Sequence, residues 1–171
     1  VQINTLAGVE NTDTGNSFSG SSAIQDAIDS ADSGDTLLVN SGTYDRIKID
    51  KQLTIKAADG ASPTITDTVS VDSGSSVGDI VIDGIDIDTV GTEAITMSET
   101  GGSGSLTVAN ATLEMDGDGG FQEVIRAGAE NQLPLTVRDT TIRGADEGAT
   151  DDEIGILRGQ RDGPDGTVDE L

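Results

Sequence analysis

The chain has 171 residues and neither cysteine nor histidine, so it is long enough for one packed domain, cannot be stapled by disulfides, and lacks the usual transition-metal ligands. Nine Lys and Arg face 32 Asp and Glu for a net charge of −23, which argues against nucleic acid as a partner because a polyanion is repelled by such a surface. No run approaches the roughly 20 apolar residues of a membrane-crossing helix, and no membrane insertion is expected.

Val, Ile and Leu recur in alternation through most of the length, so the acids read as the outside of a folded body rather than as a disordered polyanion. Self-repulsion of that surface weakens the fold in dilute buffer, and a Debye length of about 3 Å at 1 M salt screens it. With only three Lys, the composition points to a salt-loving archaeon or its virus, the alternative being an acidic mesophilic surface protein. A first residue of Val1 rather than Met fits a processed secreted chain or a trimmed one.

Residues 1–19 are polar, with Ile3, Leu6, Val9 and Phe18 as anchors, and read as an arm or lead-in strand. Over 20–34 the spacing predicts a helix of about three turns: Ile24, Ala27, Ile28 and Ala31 form one apolar stripe, with Gln25, Asp26, Asp29 and Asp32 opposite. Ser22 and Gln25 offer a capping box and Gly34 a stop.

Residues 35–160 change to a period of two. Leu37 and Val39, Ile47 and Ile49, then Leu53 and Ile55 alternate with polar neighbours, separated by turn residues such as Ser41-Gly42 and Asp59-Gly60. Three later segments start at Ile80, Leu106 and Leu135 and share one pattern. Apolar residues stand at the first, third and last of eight places (Ile80, Ile82, Ile87; Leu106, Val108, Leu113; Leu135, Val137, Ile142), with a polar or small turn at the fourth and fifth and Ile85 among the sixth-place residues. Each is followed by a second apolar piece, "AITM", "EVIRA" or "IGIL", and the starts advance by 26 and 29 residues, a solenoid-like period. The repeat describes a coil with three faces, its parallel strands burying a column of Val, Ile and Leu. The loops "DTVGTE", "DGDGGFQ" and "GADEGATDDE" fall between second and third strands and are expected to project along one side. Residues 161–171 read as a polar tail.

The order "IQDAID", "GDTLLV", "SGTYDRIKID", "KQLTIKAA" over residues 21–57 resembles the amino-terminal opening of secreted proteins of the pectin-lyase-like superfamily. The resemblance spans roughly residues 20–160 and implies an all-β solenoid, a right-handed parallel β-helix, whose amphipathic helix covers the apolar end of the first rung. That opening is shared by lyases, hydrolases, epimerases, copper-delivery accessory proteins, adhesins and viral spikes, so it specifies a fold more than an activity.

The superfamily's hydrolases rely on carboxylates and a Gly-His-Gly motif, which a chain without histidine cannot supply. Its lyases use calcium and an Arg or Lys that takes the proton α to a carboxylate, roles for which Arg126, Arg143 or Arg158 and the loop acids are the candidates. Arginines amid excess acid are equally explained by surface pairing. Carboxylate pairs such as those among Asp83, Asp86 and Asp88, or Asp151 to Glu153, are inevitable in so acidic a chain and carry no weight. Asp116 and Asp118 on "MDGDGG" echo a calcium loop without its remaining ligands. No cofactor is required, and calcium or monovalent cations are the ions to expect. Phe121, in a projecting loop, is the candidate ring for glycan stacking, and Asn110 heads a glycosylation sequon.

The expectation is therefore a non-catalytic extracellular structural or attachment module of a halophilic cell surface or virion. It would assemble as a homo-oligomer through an uncapped carboxy-terminal end and possess an optional surface-glycan contact. A calcium-dependent polysaccharide lyase or related carbohydrate-active enzyme is the alternative.

Overall fold

The computed structural model describes residues 8–72, 77–90, 93–97, 103–115, 122–127, 134–143 and 154–158. In chain order the elements begin with β1 (Gly8–Asn11), β2 (Ser17–Ser19) and one helix, α1 (Ala23–Ser30). Two short triplets of strands follow, β3 (Thr36–Val39), β4 (Gly42–Tyr44) and β5 (Ile47–Ile49), then β6 (Leu53–Ala57), β7 (Pro63–Ile65) and β8 (Val69–Val71). The third and fourth triplets are β9 (Ile80–Asp83), β10 (Asp86–Thr89), β11 (Ile95–Met97), then β12 (Leu106–Ala109), β13 (Thr112–Met115), β14 (Gln122–Ala127). The last described triplet is β15 (Leu135–Arg138), β16 (Thr141–Arg143) and β17 (Ile154–Arg158).

Every strand from β3 onward pairs in parallel with the strand three places along the chain, and three stacked sheets result. The first sheet runs β15-β12-β9-β6-β3 and is extended by β1 and β2, which are antiparallel; the second runs β16-β13-β10-β7-β4 and the third β17-β14-β11-β8-β5. Register fixes the core. Leu37, Ile55, Ile82, Val108 and Val137 form one column of the first sheet, and Tyr44, Ile65, Ile87, Leu113 and Ile142 one of the second. Because side chains alternate faces in a strand, a three-residue strand such as Ile47–Ile49 buries its first and third residues and exposes Lys48.

The bend between first and second sheets recurs at one chemical position. Gly84, Asn110 and Asp139 all have positive φ, 72°, 52° and 52°, the region that glycine enters freely and that Asn and Asp tolerate best among the others. These bends stack, with the Gly84 N–H donating to the Ala109 carbonyl at 2.9 Å. Side chains extend the ladder: Asn110 Nδ2 donates to Asp83 at 2.6 Å, Ser105 Oγ to Asp79 at 2.9 Å, and the Thr112 N–H to Asp86 at 2.7 Å. Several aspartates are thus acceptors for the neighbouring triplet as well as surface charge.

Five expectations change. Two strands precede α1, so residues 8–19 form a hairpin that continues the first sheet. The helix has eight residues rather than three turns, and no capping box forms: Ser22, just before it, has helical backbone angles and its hydroxyl bonds Asp26 at 2.8 Å. Gly42 opens β4 rather than making a turn, because its backbone is aligned with Pro63. Finally, Leu135 and Val137 are half-buried and Ile142 is 36% exposed, whereas their column neighbours Leu106, Val108 and Leu113 are fully buried. They lie in β15 and β16, the last strands of their sheets among the described residues.

A Cβ at Gly84 would sit 3.0 Å from the Ala57 Cβ on a left-handed backbone. Gly84→Val is expected to cost about 1–3 kcal/mol or more, while Asn110→Gly costs less, as chemical denaturation would measure.

Candidate functional site

The end of the stack nearest β3 is closed by three devices. Helix α1 buries Ala23, Ile24, Ala27 and Ile28 and, with the buried Ala31 after it, packs over β1, β2, β3 and β5. The edge of β3 is paired by β1. The edge of β5 is taken by a side chain: Gln25 Oε1 accepts the Lys48 N–H at 2.7 Å while its Nε2 donates to Asp29 at 2.7 Å and lies 3.4 Å from the Lys48 carbonyl. One amide therefore occupies backbone groups that would otherwise template another strand. In return Lys51 Nζ donates to the Ile28 and Ala31 carbonyls at 3.0 and 3.2 Å, satisfying the helix's carboxy-terminal acceptors where a cation is favoured.

Two polar pins hold the hairpin to this end. Buried Asn11 donates to Asp35 at 2.7 Å and accepts the Asp13 and Thr14 N–H groups, and Asp13 accepts the Thr36 N–H at 2.7 Å. Tyr44 is fully buried; its hydroxyl accepts the Gly8 N–H at 2.8 Å and lies 3.0 Å from the Gly8 carbonyl and 2.8 Å from that of Asn40, to which it donates its proton. Burial pushes the phenol above its ordinary value, because the phenolate would be desolvated, and the Gly8 hydrogen bond offsets part of that effect. Neither pin was evident in the sequence, where Tyr44 was one aromatic among three and Asn11 part of a polar arm.

The outer face of the third sheet carries a second arrangement. Register aligns Lys48, Ser70, Thr96 and Arg126 in one outward row. A hollow of about 240 Å³ opens there, lined by Lys48, Ser70, Val71, Asp72, Thr96 and Met97. Lys48 Nζ is 2.9 Å from Asp72, whose hydrogen bond and charge raise the ammonium's pKa, and Arg126 is 3.3 Å from Glu93. Between these ion pairs Thr96 Oγ1 donates to Ser70 Oγ at 3.3 Å, so the two hydroxyls of the row bond each other. Comparison with protein-family profiles, curated proteins and solved structures finds no match.

The three alternative lyase arginines fall in two sheets, Arg126 and Arg158 on the paired strands β14 and β17. Arg126 is in the third sheet and Arg143 in the second, where it lies 3.8 Å from Glu114; Arg158 ends β17, aligned with Ala127. Among the described residues no group of three or more acids is placed to hold a metal ion. Asn110 is exposed on its bend. Asp116, Asp118 and Phe121 lie outside the described residues, as do most of the three projecting loops.

Tyr44→Phe is expected to lower stability by about 1–3 kcal/mol, because buried Gly8 and Asn40 groups lose their partner. The wild-type phenol has a higher pKa folded than unfolded, so its contribution is present below pH about 10 and lost as pH rises through the folded value. Alkaline denaturation should therefore begin at a higher pH in Tyr44→Phe relative to its own neutral-pH stability, and an unchanged alkaline limb would contradict the role.

Proposed function

We propose that this chain is a right-handed parallel β-helix, similar to the pectin-lyase-like proteins, serving as a non-catalytic structural or attachment module outside the cell. The setting is salt-rich, and the module belongs to a cell surface or virion as a spike, turret, fibre or surface-layer component. One observation carries this reading, the asymmetry of the two ends. At one end helix, hairpin and the Gln25 amide cover the core and the edges of β3 and β5. At the other the core columns reach partly exposed Leu135, Val137 and Ile142. Covered edges at one end, with partly exposed core residues in the last described strands, favour assembly with copies of itself. Calcium or monovalent cations enter this reading as screening or bridging ions, with Asp116 and Asp118 as the candidate contacts.

A glycan-contacting role, up to a calcium-dependent polysaccharide lyase using Arg126, is the second reading. The hollow lined by Lys48, Ser70 and Thr96, with Arg126 aligned next to Thr96 in the same row, favours it. The two readings separate by assay: glycan binding lost in Ser70→Ala/Thr96→Ala, or calcium-dependent cleavage of an acidic polysaccharide lost in Arg126→Ala, supports the second.

The leading reading predicts that the melting temperature rises by several degrees between dilute buffer and molar salt, as repulsion among 32 acids is screened. It also predicts association on sedimentation in molar salt without cleavage products. A salt-indifferent melting temperature contradicts the halophilic part, and a monomer throughout contradicts the assembly part.

A further inference from the structure

We infer that Asp59-Gly60, in the exposed bend between β6 and β7, is a covalent modification site at which the chain isomerises spontaneously to isoaspartate, while Asp83-Gly84, the same dipeptide at the bend between β9 and β10, is held against that reaction. The reaction needs the two residues and water. The Gly60 amide nitrogen attacks Cγ of the Asp59 carboxylic acid, a C–N bond forms, and the acid's OH leaves with the amide proton as water. The resulting succinimide takes water back at either carbonyl. Opening at the side-chain carbonyl restores aspartate. Opening at the main-chain carbonyl breaks the original peptide link and leaves the chain running through Cγ, one atom longer. A following glycine favours the attack because no Cβ hinders its nitrogen.

The bend at 59 leaves both groups free. Asp59 and Gly60 are exposed, and among the described residues neither the Asp59 carboxylate nor the Gly60 N–H has a hydrogen-bond or ion-pair partner. A Cβ built at Gly60 would meet nothing within 4 Å, so the space around the turn is open. One bond spans the turn, from the Ala61 N–H to the Ala58 carbonyl at 2.9 Å, and the chain on either side is anchored by Ala58 on Val39 at 2.8 Å and Ser62 on the Ser41 hydroxyl at 3.0 Å. Turning the 59–60 peptide toward the attacking geometry therefore breaks one hydrogen bond and displaces no fully buried side chain.

The bend at 83 occupies both groups. The Gly84 N–H, which would be the nucleophile, donates to the Ala109 carbonyl at 2.9 Å, and the Asp83 carboxylate accepts from Asn110 Nδ2 at 2.6 Å. Asp83 lies in register between Lys56 of β6 and Ala109 of β12, and the Ala57 Cβ closes the space where a Cβ of residue 84 would stand. Reaction there requires the stack to open locally first. Four further Asp-Gly pairs, beginning at residues 116, 118, 162 and 165, lie outside the described residues, so the comparison is between 59 and 83. An added main-chain atom at 59 lengthens the link from β6 to β7, whose Ile65 stands between Tyr44 and Ile87 in a core column of the second sheet.

The experiment is storage of the full chain in warm, mildly acidic buffer, folded in molar salt and, in parallel, unfolded in guanidinium chloride. Digestion with an endoproteinase that cuts before aspartate but not before isoaspartate, and mass spectrometry with electron-transfer fragmentation, then locate the product. The folded chain should accumulate isoaspartate at 59 at least about tenfold faster than at 83, because more hydrogen bonds must open at 83. The mass at both sites should be unchanged, and the unfolded chain should form isoaspartate at both at comparable rates. Asp59→Glu, a lengthened side chain on an exposed turn, should abolish the signal at 59 and leave the fold intact, since glutamate has to close a larger, slower-forming ring. Isoaspartate at 83 matching that at 59 in the folded chain, or none at 59 while the unfolded chain forms it there, would overturn the inference.

Discussion

Parallel pairing between strands three apart in the chain is the constraint on which everything else depends. It sets each side chain beside its counterpart from the preceding triplet, so one residue's chemistry is repeated or answered 18 positions on between β3 and β6 and 26 to 29 positions on through β9, β12 and β15. Apolar columns grow from this register, and so do the stacked left-handed bends at Gly84, Asn110 and Asp139. The bonds from Asn110 to Asp83 and from Ser105 to Asp79 convert part of the acid excess into cohesion. A slip of one residue would turn every buried Ile and Val outward, which is why such short strands suffice only in register.

Stacking has no natural stop, so the ends must be managed. At the closed end each kind of exposed group has a different remedy: α1 for the apolar core, β1 for the edge of β3, and the Gln25 amide for the edge of β5. The remedies interlock, because Lys51 ties the strand region after β5 to the last carbonyls of α1, and Tyr44 ties β1 to the bend after β3. Loosening one therefore loosens the others. On the third sheet, by contrast, the outward row is built from ordinary surface pairs, with Lys48 on Asp72 and Arg126 on Glu93.

Repeats long enough to show alternation were legible in the sequence. The segments from Ile80, Leu106 and Leu135 carry four-residue strands and a Gly, Asn or Asp at the bend, and the structure places them in register. Strands β4, β7 and β8 were not legible, since "GTY", "PTI" and "VSV" are too short for a period of two to declare itself, and two of them open on Gly or Pro. The stripe Ile24, Ala27, Ile28 and Ala31 announced a helix with one apolar face, but the role of Gln25 depends on Lys48, 23 residues away. Tyr44 and Gly8 are 36 apart. Local pattern carries elements, while long-range hydrogen bonds that finish the closed end leave no local trace.

Residue-resolved native-state hydrogen exchange tests the account most directly, because it reads register and end closure together. The account predicts slow exchange in β6, β9 and β12, a Lys48 amide as protected as these although β5 lies at a sheet edge, and weaker protection in β15 and β16. In Gln25→Ala the Lys48 amide should lose that protection. A Lys48 amide exchanging at the rate of an open edge in the wild type, or protection without the decline toward β15 and β16, would contradict it.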